Sequence, residues 1–181
     1  MLTPHNWLLG LRRFAADRRA GPAAEFALIL PLAILLLFSA VEAARLVYDY
    51  HTVTKSLRKA VRYLSRIPIT CNSPGQQTVT TVFTTQELTN AENLALTGKV
   101  DNPPTDFLIG YWTNINMASA LEVECKTNTP TDFAGLYEGL PLIPMIKLRT
   151  AVSFPLLHGT LVFSGPTYTM VIEHNEVSML G

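Results

Sequence analysis

The residues of this chain that could do chemistry are few and scattered. The histidines are His5, His51, His158 and His174, and the cysteines are Cys71 and Cys125. No histidine falls in a motif with a cysteine, serine or carboxylate that would mark a nucleophile and its base. Two cysteines separated by 54 positions match no metal-ligand spacing. In an oxidising compartment they are expected to form one disulfide, and otherwise to be two buried thiols. Such a bridge would stabilise the fold by roughly 4 kcal/mol on the chain-entropy model. Leu96-Thr97-Gly98-Lys99 has the tail of a phosphate loop but lacks its first glycine and strand, so it reads as a helix stop. Glu122 and Glu124 alternate along a strand-like stretch and face the same solvent side, not each other across a site. No enzyme activity, cofactor, metal or small-molecule substrate is expected.

The carboxylate with the most unusual setting is Glu25. It stands at the entrance of a run from Phe26 to Ala44 in which almost every residue is apolar. That run is about as long as the roughly 20 residues a helix needs to cross a bilayer. A carboxylate in lipid is costly and marks a partner or a function. The simpler role is to complement the positive end of the helix dipole. The apolar run exceeds the roughly 7–15 residues of a secretory signal core. It continues into Glu42, Arg45 and an amphipathic stretch without a turn-like cleavage region. An uncleaved anchor is therefore expected, with everything after residue 45 in one aqueous compartment.

Charge is distributed in blocks. Residues 45–66 hold six bases against Asp49, and residues 67–181 hold ten acids against four bases. A basic neck and an acidic head suggest contact with anionic lipid headgroups or acidic neighbours. Nucleic acid is not expected, because no basic patch lies among aromatics on the head. Near the membrane, four Lys or Arg precede the apolar run and five follow it, so the positive-inside count does not decide orientation.

Four segments follow: a basic arm at 1–21, a membrane helix at 22–44, an amphipathic extension at 45–66, and a head at 67–181. Pro22 suits a first helical turn, and Pro31 should bend the membrane helix. Leu46, Tyr50, Val53, Leu57, Val61 and Leu64 form one apolar stripe, so a single helix of roughly 65 Å at 1.5 Å per residue is expected to reach Arg66. Pro68 ends it. Residues 69–80 read as a loop. Thr84 and Glu87 form a capping box for a helix over 85–97 that stops at Gly98. Residues 101–106, DNPPTD, are a turn-rich connector. The period then changes to two, predicting strands around Leu121–Lys126, Ile146–Phe154 and Tyr168–His174. Residues 127–143 are a long connection, and Ser164-Gly165-Pro166 is a hairpin-like turn. The fold class is α+β, a long N-terminal transmembrane and amphipathic helix followed by a short helix and a small antiparallel sheet.

The membrane entrance carries a family resemblance. Ala20, then Gly21-Pro22-Ala23-Ala24, then Glu25-Phe26 and Ala27-Leu28-Ile29-Leu30-Pro31 resemble a class III prepilin-type signal. More specifically, the chain is similar to the TadE-like proteins of tight-adherence (Flp-type) pilus systems. The amphipathic segment Ser56 to Arg66, the Ala91–Gly98 helix end, the Leu121–Lys126 strand and the Gly139–Pro144 stretch have counterparts in that family. The resemblance implies a minor pilin or pseudopilin in the bacterial inner membrane, with its N-terminus cytoplasmic and its head periplasmic. It implies partners among other pilins and the assembly platform, and a prepilin peptidase acting near Ala20, Gly21 and Pro22. It also implies that Glu25, with Phe26 beside it, pairs with the N-terminal amine of a neighbouring subunit. The family usually has glycine before the cut and glutamate fifth after it. Here the first place holds Ala20, and a cut after Gly21 makes Glu25 fourth. A different class of function is a membrane-anchored periplasmic binding or sensor module, which would need a ligand pocket in the head.

Overall fold

The apolar run and the amphipathic stripe belong to one uninterrupted helix. In the computed structural model, which describes residues 21–100, 104–129, 137–156 and 167–178, helix α1 spans Gly21–Ser65. Pro31 lies inside it. The chain divides into two compact units, residues 1–44 and 45–181. In the first, all the described residues from 21 to 41 are exposed, including Leu28, Ile29, Leu36 and Leu37. Exposure of a continuous leucine-rich surface suits a lipid solvent rather than water.

The second unit is an α+β head. After α1 come β1 (Gly75–Gln77), α2 (Val79–Val82), α3 (Thr85–Thr97), α4 (Met117–Ala120), β2 (Leu121–Thr127), β3 (Leu142–Pro155) and β4 (Thr167–Val177). The strands form one antiparallel sheet in the order β1-β2-β3-β4. The period-two pattern is realised in β2 and β3. Leu121, Val123 and Cys125 are buried while Glu122, Glu124 and Lys126 are exposed. On β3, Ile146, Leu148, Val152 and Phe154 are buried, with Arg149, Ala151 and Ser153 exposed between them. Register places Val123 against Ile146, and Val152 against Met170.

The core is filled from the helices as well. Val53, Leu57, Ala60, Val61 and Leu64 of α1 are fully buried, and Ala91, Ala95 and Leu96 of α3 join them. Tyr50, placed in the stripe by spacing, is instead exposed and stands edge-on to His51. Small Ser56 and Ala60 occupy buried positions beside the stripe. Bulk at those two positions would hold α1 away from the layer it packs on, which explains small residues there. Ser56 satisfies its hydroxyl by donating to the Val53 carbonyl at 2.9 Å.

Helix α3 has the ends its sequence specifies. Thr84 Oγ1 accepts from the Glu87 amide at 3.3 Å, and Glu87 Oε2 accepts from the Thr84 amide at 2.7 Å. Gly98 closes the helix at φ 75°, in the left-handed region that favours glycine. We expect Thr84→Ala to destabilise the head by about 1 kcal/mol. Urea denaturation of the full chain in detergent micelles measures this, and an unchanged midpoint would contradict it.

The structure adds two features to the sequence reading. The expected loop over 69–80 contains β1, paired in register Gly75 to Cys125 and Gln77 to Val123. Strand β3 begins at Leu142, earlier than the alternation predicted, and extends across both β2 and β4. The basic arm before Gly21, residues 130–136 of the long connection and the Ser164-Gly165-Pro166 turn lie outside the described residues.

Candidate functional site

The candidate site is the membrane helix with the polar collar that follows it. Among the residues named from the prepilin-like pattern, Ala20 lies outside the described residues. Gly21, Pro22, Glu25 and Phe26 all lie in α1. Glu25 is the fifth described residue of the helix, and no acid falls in its first described turn. Phe26 is 63% exposed, so an aromatic surface stands directly beside the carboxylate in sequence and is open to a neighbour. Among the described residues, α1 is the one helix long and apolar enough to cross a membrane.

Polarity returns at Arg45. Its Nε lies 3.7 Å from Asp49 Oδ2, one helical turn on. Asp49 also accepts a 2.7 Å hydrogen bond from the Tyr111 hydroxyl, 62 positions further along the chain. The Arg45 guanidinium sits 6.0 Å from the Tyr111 ring centre, and the ring meets Phe154 edge-on. Burial, then the Asp49 carboxylate beside it, pushes the Tyr111 hydroxyl well above its ordinary range. Tyr111 therefore stays protonated and donating at any pH the protein meets. This clasp ties the start of the amphipathic half of α1 to the loop before α4. Tyr111 and Asp49 were not singled out from the sequence. The signal available there was a lone acid in an otherwise basic neck.

Beyond the clasp, α1 presents Lys55, Arg58, Lys59 and Arg62 as exposed residues, and Arg66 is exposed just past its end. Their spacing of three and four sets them along one side. Arg62 Nε approaches Glu176 Oε1 at 3.6 Å, and His174 Nε2 lies 3.8 Å from Glu176 Oε2. The other four cations make no ion pair among the described residues.

His51 is on the neck and His174 on β4, while His5 and His158 lie outside the described residues. Lys147 of β3 reaches Glu122 at 3.7 Å and Glu173 at 3.4 Å, a cross-strand charge ladder in solvent. Among the described residues no group of His, Cys, Asp or Glu could hold a metal ion. Cys71 and Cys125 are joined as a disulfide, with their Cα atoms 5.8 Å apart. The bridge links the segment just after α1 to the buried face of β2.

A cavity of about 380 Å³ lies between α3 and α4, with Glu92 on its wall. Burial raises the Glu92 carboxyl above its ordinary value. A folded-state value above the unfolded one means that ionisation costs stability as pH rises through the carboxylate range. Glu92→Gln is therefore expected to raise the unfolding midpoint at neutral pH. The gain should fade as pH falls below the ordinary carboxylate value, and equal midpoints throughout would contradict the burial effect.

A chain with one lipid-length helix near its N-terminus and an α+β head fits the class of single-pass membrane-anchored proteins. Residues 23–62 match the family model described as TadE-like protein, the family the membrane entrance and neck resemble. The match covers the membrane helix and most of the basic neck. Comparison with curated proteins and with solved structures gives no match.

Proposed function

We propose that this protein is a minor pilin or pseudopilin-type component of a tight-adherence pilus assembly machinery. In this reading α1 anchors it in the inner membrane, with the basic arm cytoplasmic and the head periplasmic. The single observation that carries the proposal is the match of residues 23–62 to the TadE-like model, falling on one helix that continues from an apolar half into a basic half. The disulfide between Cys71 and Cys125 agrees with an oxidising compartment for the head. The protein acts through contacts rather than catalysis. Its membrane helix is held in lipid until an assembly platform moves it against other pilin helices, where small residues at Ala40, Ala43 and Ala44 permit close approach. Its partners are then other pilins, the platform and, if the arm is removed, a prepilin peptidase.

The intact mass and N-terminal sequence of the protein from membranes of its host test this role. A start at Gly21 or Pro22 shows prepilin-type processing and favours a pilin. An intact arm favours a permanently anchored assembly factor, and a start beyond residue 40 overturns the proposal. The cavity beside Glu92 gives the binding-module alternative its one specific support.

A further inference from the structure

The cavity between α3 and α4 has a divided lining. Its floor is apolar, with Leu88 and Met117 both buried. Of its hydroxyl and amide groups, those of Thr89 and Asn116 are engaged within the fold. The Thr89 hydroxyl donates to the Thr85 carbonyl at 2.9 Å, and the Asn116 side chain accepts from the Ser119 amide at 3.2 Å. Glu92 differs from them: among the described residues its carboxylate has neither a hydrogen bond nor an ion pair, and it is partly shielded from water. An unpaired carboxylate over an apolar floor suits a cation carried on an apolar stem. Lysine and arginine are built that way, with a hydrocarbon chain that packs and a charged head that pairs.

The same head unit displays such cations. Lys55, Arg58 and Lys59 on α1, and Arg66 just past its end, are exposed and lack an ion pair among the described residues. Of that row, Arg62 has Glu176 within reach. The wider charge pattern agrees, since residues 45–66 are basic and residues 67–181 acidic. We propose that the cavity is a socket for a lysine or arginine side chain from the basic face of α1 in a second copy of this chain. Socket and cation lie on different elements, so the contact joins unlike surfaces of two copies. Contacts of that kind repeat from copy to copy and build rings or open rows rather than closed two-fold pairs. The inference needs only copies side by side in one membrane, and stands apart from the pilus role.

Cysteine cross-linking in membranes tests it with the full chain. One copy carries Glu92→Cys, and a differently tagged copy carries Lys55→Cys, Arg58→Cys, Lys59→Cys or Arg66→Cys. The native cysteines are bonded to each other and do not compete. A short bis-maleimide is expected to join Glu92→Cys to at least one α1 position, with a yield about tenfold above Glu92→Cys paired with Lys126→Cys on the outer face of the sheet. Equal yields at Lys126 and α1 overturn the proposal. In a second arm, co-purification of two tagged copies should fall about tenfold with Glu92→Lys. Unchanged co-purification with Glu92→Lys, in protein whose disulfide still forms, also overturns it. Should Glu92→Lys fail to fold, the cross-linking arm still decides.

Discussion

Replacing Cys71 and Cys125 together by serine is expected to lower the stability of the head by about 4 kcal/mol. The bridge closes a loop of 54 positions, which holds β1, α2, α3 and α4. In the unfolded chain that closure removes conformations that the serine variant regains. The folded state is weakened as well. Cys125 is 1% exposed on the core side of β2, so serine puts a hydroxyl where the neighbours are apolar. β1 has three residues, and its ladder to β2 begins where Gly75 faces Cys125, so the bridge also pins the strand that closes the sheet on that edge. Urea unfolding of the full chain in micelles, followed by Trp112 fluorescence with Trp7 replaced by phenylalanine, measures the loss. A shift below about 1 kcal/mol would mean that the bridge contributes little beyond the packing around it.

The second large effect is expected at Glu25. Glu25→Ala removes the carboxylate from an otherwise apolar entrance and makes transfer of that residue into lipid easier. Insertion should therefore be normal, and the head should fold and form its disulfide as before. Under the proposed role, piliation should nonetheless fall to the level of a strain lacking the protein, because the charge that recruits a neighbouring N-terminal amine is gone. Glu25→Gln separates the two uses of the residue. It keeps the size and much of the hydrogen bonding, yet cannot form the ion pair, so it too should be unpiliated. Normal pili in either variant would limit Glu25 to completing the start of the helix.

The parts of this protein that were legible in its sequence are those decided locally. Thr84, Glu87 and Gly98 bracket α3 because capping depends on residues three and four apart. The alternation of Leu121, Val123 and Cys125 with Glu122, Glu124 and Lys126 shows β2, since a half-buried strand repeats every two residues. The apolar run and the basic neck read as one helix because no breaker follows Pro31 until Pro68. What escaped the sequence depends on distant partners. β1 is Gly75-Gln76-Gln77, which has no apolar alternation and exists as a strand by pairing with β2. Tyr50 fits the apolar stripe by spacing, yet it is exposed while Ser56 and Ala60 are buried, because the shape of the facing layer decides which positions close up. The clasp of Asp49 with Tyr111 joins residues 62 apart, and nothing near either one announces the other. The same holds for the unpaired Glu92, whose setting emerges only when α3 and the segment 114–118 are brought together.

The measurement that bears most directly on the proposed role is the number of tight-adherence pili per cell, counted by electron microscopy, in the host with the coding sequence for this chain deleted. The account predicts a bald surface, restored by the full chain and not by the head released from residues 1–44. Pili present at the normal number without the protein would contradict it.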